Sequence, residues 1–453
     1  MLLSSLGTSI ANVGLPTIAR AFDASFQAVQ WVVIAYLLAV TTLIVGAGRL
    51  GDLIGRRRLL VAGIALFTAA SVACALAASL TQLVAARAVQ GMGAAVMLSL
   101  TLAFVGDTVP KDRIGRAMGL LGTMSATGTA LGPSLGGLLI AGFGWRALFV
   151  LNVPLGLAAL ALALRYLPSE SRDAATARAG FDLTGTLLLA LTLAAYALAV
   201  TLGRGSLGRL NLALLGAAVV GLGLFLFAES RVTAPLIQLA AFRDRTLRAS
   251  LAMSVLVSTV MMSTLVVGPF YLSGALGLSA TLTGFVLAVG PIVTALSGVP
   301  AGRMTDRFGA PVVTRVGLAG IATGSALLAL LPAALGSAGY VGAIAVMTSG
   351  YGLFQTANNT AVMSGSRASD RGVMSGLLNL ARNLGLVTGA SAMAALFALA
   401  SSHAAASIAR PAAVAAGMHV TFAVAALLIV GALALAARPH ALVTITPPSG
   451  GLT

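Results

Sequence analysis

Gly48-Arg49-Leu50-Gly51-Asp52-Leu53-Ile54-Gly55 and Gly302-Arg303-Met304-Thr305-Asp306-Arg307-Phe308-Gly309 are one phrase written twice. Glycine, arginine, aspartate and glycine recur in step: 48 with 302, 49 with 303, 52 with 306, 55 with 309. A second echo pairs Asp112-Arg113 with Asp370-Arg371. Each phrase sits between two long apolar stretches, so what repeats is a block of helices. Repeated halves are typical of transporter folds, in which the substrate path runs between the halves near the bilayer midplane.

Outward from these phrases, the apolar residues fall in runs of roughly 20, the length of a helix crossing a ~30 Å hydrocarbon core. Barrel strands would alternate polar and apolar residues over about 10 positions, and no such pattern occurs. Fourteen spans are expected, near 2–19, 28–48, 59–79, 82–105, 116–141, 147–167, 183–203, 210–229, 248–272, 281–301, 312–332, 338–364, 372–400 and 418–437. The expected fold is all-α and polytopic. Residues 1–167 form a first six-helix bundle, 168–247 a linker with two extra spans, 248–438 a second six-helix bundle, and 439–453 a disordered tail.

Of the 453 residues 58% are hydrophobic and 8% charged, and the mean hydropathy is +1.02. A soluble domain carries about a quarter charged residues, so most of this surface faces something other than water. The net charge of +16 could point to nucleic acid, but its distribution gives another reason for it. With a cytoplasmic amino terminus, the outer loops hold Arg20, Arg146, Arg204, Arg209 and Arg410. The span interiors hold Arg87 and Arg382, and the other 20 of the 27 Lys and Arg residues lie in cytoplasmic loops or at cytoplasmic helix ends. That bias orients a membrane protein and requires no nucleic acid. The sole cysteine, Cys74, excludes an intramolecular disulfide. The first apolar segment lacks a basic leader and a cleavage site. It begins almost at Met1, and a start further upstream is an open alternative.

The strings ANVGLPTIA (11–19), QWVVIAYLLA (30–39), GRLGDLIGRRRLL (48–60), LVAARAVQGMGAA (83–95), GTALGPSLGG (128–137) and WRALFVLNVPLG (145–156) occur in order on the expected helices. FQTANNTAV (354–362) and LARNLG (380–385) follow in the second half. Over nearly its whole length the chain resembles the fourteen-helix drug:proton antiporter branch of the major facilitator superfamily. The resemblance implies two six-helix bundles plus two inserted helices, in a bacterial inner membrane with both termini cytoplasmic. It also implies proton-driven export of small amphipathic, drug-like molecules by alternating access.

Gly48 and Gly55 permit close backbone approach at two helix ends. Asp52 stands just before the third span, where a carboxylate suits the positive end of a helix dipole. Arg49, Arg56, Arg57 and Arg58 can pair with it or with anionic lipid headgroups. The resemblance implies a cytoplasmic latch built from these residues with Gly302, Arg303 and Asp306. The plainer alternative is a solvated turn obeying the charge bias. Gly128, Gly132 and Gly136 share one helix face, beside Gly137, and let two helices pack closely, while Pro133 bends the helix. The resemblance makes this the antiporter motif that seals the bundle.

A charge inside a span is a functional candidate by default. Arg87 lies within the fourth span, near enough to its end to snorkel. Arg382 lies within the thirteenth, beside Asn379 and Asn383. Asn12, Gln30, Trp31, Tyr36, Gln90, Asn152, Gln355, Asn358 and Asn359 are polar or aromatic residues that either line a cavity or join helices by hydrogen bonds.

The chain departs from the family at Gly7, where many members carry a membrane-embedded aspartate. All eleven carboxylates (Asp23, Asp52, Asp107, Asp112, Glu170, Asp173, Asp182, Glu229, Asp244, Asp306 and Asp370) fall in loops or at helix ends. Proton coupling would then use Asp52, Asp107 or Asp23, or be absent. With only positive charges in the spans, the cavity should favour neutral or anionic substrates.

A facilitator or uptake carrier without proton coupling is the alternative within transport, and a non-transporting sensor on the same fold is another class. An intramembrane enzyme is disfavoured: there is no His-Glu-x-x-His string, no span-embedded carboxylate and no histidine placed to activate a serine. No Gly-x-x-x-x-Gly-Lys-[Ser/Thr] string occurs, so ATP is not expected as the direct driver. No cofactor or metal is implied.

Overall fold

A computed structural model of the protein describes residues 1–24, 26–167, 182–202, 208–232, 235–237, 239–332, 335–367, 370–405 and 410–437. Residues 168–181 of the expected linker and the expected tail at 439–453 lie outside the described residues. All described secondary structure is helical, as it must be where lipid offers backbone groups no hydrogen-bond partner.

The first half comprises α1 (Leu2–Ala21), α2 (Phe26–Ile54), α3 (Arg56–Leu76), α4 (Leu80–Thr108), α5 (Ile114–Phe143) and a sixth span broken into α6 (Ala147–Val150) and α7 (Asn152–Tyr166). Then come α8 (Leu183–Leu202) and α9 (Arg209–Glu229). The second half comprises α10 (Arg245–Phe270), α11 (Ala280–Phe308), α12 (Ala310–Ala329), α13 (Gly336–Gly365), α14 (Arg371–Ala405) and α15 (Arg410–Ala437). These are the two six-helix halves expected.

The span count differs from expectation. Among the described residues twelve helical segments are long and apolar enough to cross a membrane, where the sequence reading expects fourteen. The two outside this set are α1, in which the side chains of Asn12, Val13 and Pro16 lie outside the described residues, and α13. The reason for α13 is its role: Thr348, Gln355, Thr356, Asn358 and Asn359 lower its hydropathy because it packs inside the protein and lines the cavity.

Local signals set several helix ends. Ser79 accepts the Gln82 N–H at 3.3 Å while Gln82 Oε1 accepts the Ala78 N–H at 3.0 Å, a reciprocal cap of α4. Asp244 and Ser279 cap α10 and α11 through Thr246 N and Leu282 N. Helices α2 and α11 both stop at a glycine with positive φ, Gly55 at 102° and Gly309 at 82°, a conformation costly to any residue with a Cβ. Beyond Pro269, α10 ends in a π turn over Tyr271–Ala275, where the proline lacks its N–H.

The apolar core shows how the halves meet. One cluster joins Ile44 and Val45 of α2, Leu100 of α4 and Met118 of α5 to Val373, Leu377 and Leu378 of α14. It therefore fuses the two halves. Away from that end, Leu6, Ile10, Val32, Cys74 and Trp145 form a cluster of first-half residues, and the second half has its own around Met253, Tyr271, Tyr340 and Phe422. The helices are thus bound together at one end and separately packed at the other. Large apolar residues such as Leu212, Val219 and Val220 on α9 stay exposed, the pattern of a face turned to lipid.

Candidate functional site

The two repeated phrases lie at the fused end, and each closes on the opposite half. Asp52, at the end of α2, accepts the backbone N–H groups of Gly372 and Val373 at 3.2 and 3.3 Å. Asp306, at the end of α11, accepts those of Gly115 and Arg116 at 2.8 and 3.0 Å. Each carboxylate therefore caps the first turn of a helix in the other half, α14 or α5, where free N–H groups and the helix dipole attract an anion. The sequence reading set Asp52 against the third span. The structure corrects this, because α3 begins at Arg56 directly after the turn and only α14 presents its N-terminus to the carboxylate.

Of the four arginines expected as partners, Arg56 is the one that pairs with Asp52 among the described residues. Arg56 donates to Asp52 Oδ1 through Nε at 2.9 Å and Nη2 at 2.6 Å, and its Nη1 donates to Asp107 of α4. Arg371 of α14 donates to the other Asp107 oxygen at 2.5 Å. The result is a chain of alternating charges, Asp52–Arg56–Asp107–Arg371, that crosses between the halves. Arg49 makes no ion pair with Asp52 among the described residues; it lines a hollow with Pro235, Leu236 and Asp370. Arg57 donates to the Leu164 carbonyl at 2.8 Å, and Arg58 and Arg303 are exposed. The second clasp is thinner: Arg116 stands 3.8 Å from Asp306 with 60% of its side chain exposed.

Glycines bring the helices close enough for these contacts. A Cβ on Gly48 would lie 2.2 Å from the Gly372 carbonyl oxygen, and one on Gly302 would lie 2.5 Å from that of Gly115. Further along α5, Gly119 and Gly298 repeat the close approach, 2.1 Å from a Cβ on Gly119 to the Gly298 oxygen.

Beyond the α5–α11 and α2–α14 crossings lies a cavity with an empty volume of about 540 Å³, its mouth included. Leu102, Leu121 and Ser125 line it from the first half; Ser254, Tyr351, Phe354 and Leu378 line it from the second. Of the expected cavity residues, Gln355, Asn358, Asn359 and Arg382 do reach it, with Asn379. Asn358 Nδ2 donates to Ser254 Oγ at 2.9 Å, leaving its Oδ1 without a partner, as is Arg382 Nε. No carboxylate is among the lining residues.

Other candidates lie elsewhere. Arg87 is fully buried rather than snorkelling. It donates to the Val32 carbonyl at 2.9 Å, the Gly7 carbonyl at 3.2 Å and Gln90 Oε1 at 2.5 Å. Its guanidinium lies 4.2 Å from the centre of the Tyr36 ring, an attraction for a cation out of water. Gln90 passes the network to Ser71 Oγ at 2.7 Å. Three helices, α1, α2 and α4, are tied by this charge within the first half. Asn152 donates weakly to Leu148 O at 3.4 Å. Trp31 is half-buried and lines no described cavity. Asp107 serves the clasp. The side chains of Asn12, Gln30 and Pro133 lie outside the described residues.

The glycine string packs α5 on α1: a Cβ on Gly128 would lie 2.4 Å from Leu2 O and one on Gly132 2.0 Å from Ser9 Oγ. Gly136 is buried. Gly137 faces open space with nothing near its Cβ position, so it takes no part in that contact. Sequence reasoning missed Arg371 and the amide donors Gly372 and Gly115 as clasp residues. The echo of Asp112-Arg113 in Asp370-Arg371 marks the right turn, but an amide donor leaves no trace in residue type.

A family model described as Major Facilitator Superfamily matches residues 1–390. The chain is 32% identical to a multidrug resistance protein, Stp, of Mycobacterium tuberculosis (strain CDC 1551 / Oshkosh), over 87% of this chain and 73% of that one. It is 28% identical to a riboflavin transporter, RibZ, of Clostridioides difficile (strain 630), over 87% and 86%. Its backbone superposes on the crystal structure of the human organic anion transporter MFSD10 (TETRAN) with a TM-score of 0.65 at 15% identity, covering 96% of this chain and 97% of the other. The chain is a multi-pass membrane protein that belongs to the Major Facilitator Superfamily of transporters.

Proposed function

We propose that this transporter exports small amphipathic molecules, neutral or anionic, by alternating access, in exchange for protons. The observation that carries the reading is a cavity lined by both halves and closed at one end by two reciprocal clasps. Rocking the halves apart requires each aspartate to leave the helix N-terminus of the other half and to be replaced by water, so the clasps set the balance between two states. The fused end is taken as cytoplasmic, following the charge bias, so the state described faces outward.

Substrate charge follows from the lining. Arg382 is the one charged side chain among the described lining residues, its Nε lacks a partner, and Gln355, Asn358 and Asn359 offer amides in place of carboxylates. An apolar wall with a few polar groups suits an amphipath. The multidrug resistance relative supports export of such molecules. The carboxylate-free lining favours a second reading, facilitated diffusion without proton coupling, since a carboxylate of raised pKa is the simplest proton carrier.

Uptake into inverted vesicles separates the two. Accumulation of an anionic or neutral amphipath that is abolished by a protonophore supports exchange; equilibration indifferent to the protonophore supports the facilitator. In the R382Q variant, transport of the anionic amphipath should fall about tenfold, the equivalent of ~1.4 kcal/mol, with the neutral one little changed. Preferential export of a quaternary ammonium dye by the unmodified protein would sink the charge assignment.

A further inference from the structure

At the base of the inserted helices two carboxyl groups meet, and no cation among the described residues answers them. Asp182 stands just before α8 and Glu229 closes α9, and they are 7% and 3% exposed. Asp182 Oδ1 accepts the Gly185 N–H at 2.8 Å and so caps α8. Glu229 Oε1 and Oε2 accept the N–H groups of Leu236 and Ile237 at 3.3 and 3.2 Å, which holds the chain leaving α9 against the hairpin. The remaining oxygen, Asp182 Oδ2, is enclosed and receives no hydrogen bond from any donor among the described residues.

That oxygen faces Glu229. A Cβ on Gly185 would lie 2.2 Å from Asp182 Oδ2 and 2.4 Å from Glu229 Oε1, so the two carboxyl oxygens crowd one small enclosed space. Ionised carboxylates are acceptors only, so a hydrogen bond between them requires a hydrogen on one. Two like charges this close and out of water do not both ionise.

The described surroundings offer no other compensation. Helix α8 carries no charged residue, and α9 carries only Arg209 at its far end besides Glu229. From α2 the neighbour is uncharged, Gly46 against Thr186. On the loop side Arg49 and Asp370 lie across Pro235 and Leu236 in a separate hollow, and Arg231 sits 4.6 Å over the Phe227 ring. No ion pair to either carboxyl is present among the described residues. A metal ion is a poor substitute: no described group of three or more ligating side chains exists, and Glu229 turns its oxygens to amide donors.

We infer that Asp182 and Glu229 bind one proton between them, and that this proton holds the 236–237 segment to the α8–α9 hairpin. Loss of the proton leaves two buried anions that repel and loosens the segment. The hairpin rests on both halves, through Thr186 against Gly46 of α2 and through the hydrogen bond from Ser391 of α14 to the Val200 carbonyl at 2.7 Å. Occupancy of the site therefore bears on how α8 is seated on α2 and α14. The inference is independent of substrate and of proton exchange across the cavity.

Infrared difference spectroscopy on the purified full chain in lipid nanodiscs tests it. The unmodified protein should show a protonated-carboxyl carbonyl band at neutral pH that is lost on alkaline titration. D182N and E229Q should each lack the band, because either amide supplies the hydrogen and lets its partner ionise. Thermal stability should fall on alkaline titration of the unmodified protein and stay level in D182N. The proposal is overturned if the unmodified protein shows no such band, if the band persists in both variants, or if sodium or calcium removes it at neutral pH.

Discussion

Gly48 of α2 and Gly372 of α14 meet backbone to backbone. A Cβ on Gly48 would lie 2.2 Å from the Gly372 oxygen, and a Cβ on Gly372 would lie 2.4 Å from the Gly48 oxygen. Neither carbonyl can retreat without moving its helix. G48A should therefore push the halves apart at the clasp, at about 1–3 kcal/mol, the range for overpacking a tight site. The bias should fall on the clasped state alone, so a cysteine reporter placed in the α2–α14 seam should label faster while the protein keeps its helical content. Unchanged labelling would mean that the crossing is not a gate.

The two clasps are unequal, and their variants should be too. Asp52 engages two amides and Arg56, which also pairs with Asp107, itself paired with Arg371, in an interface largely out of water. Asp306 engages two amides and an Arg116 that is mostly in water. Breaking a buried charge partnership removes about 3–5 kcal/mol, whereas an exposed ion pair contributes about 0–1. D52N should cut vesicle transport at least tenfold and D306N severalfold at most. Equal losses would show that the amide contacts, common to both, dominate.

Arg87 holds three helices without a carboxylate. R87M leaves Val32 O, Gly7 O and Gln90 Oε1 without their donor; each such loss is worth about 1–3 kcal/mol, so the detergent-solubilised protein should melt markedly lower. R87K should recover part of this, since it keeps charge but not the planar fork over Tyr36.

Gly7 has room for a carboxylate if one ring moves: its Cβ position is 3.0 Å from Phe67 Cζ and 3.5 Å from the Tyr36 hydroxyl. G7D places an acid beside Arg87, whose Nη2 has no partner. The variant should fold, and its accumulation of substrate should become more sensitive to protonophore than that of the unmodified protein. No change in sensitivity would show that an acid at this site is not enough for coupling.

Within the glycine string two neighbouring positions should separate cleanly. G132A collides with Ser9 at the α1–α5 contact and should lower stability by about 1–3 kcal/mol. G137A meets nothing within 4 Å and should stay within about 0.5 kcal/mol. Melting of the two variants in one detergent checks both.

By itself the sequence determined the helical, membrane-spanning class, the two halves and the turn that carries the clasp. Those follow from quantities that are additive along the chain: apolar run length, charge bias, and a glycine–aspartate phrase repeated in step. It also named Gln355, Asn358, Asn359 and Arg382 among a longer set of cavity candidates, because they are polar or charged residues on spans. Only the tertiary structure decided the partners. That Asp52 caps α14 and not α3, that Arg56 and not Arg49 answers it, and that Arg87 closes on backbone carbonyls depend on how the helices cross. Asp182 and Glu229 likewise meet only because α8 and α9 pack side by side with Gly185 between them. Backbone donors and carbonyl acceptors are the same at every residue, so their engagement cannot be read from residue type; it is set when glycine-lined helices come into contact.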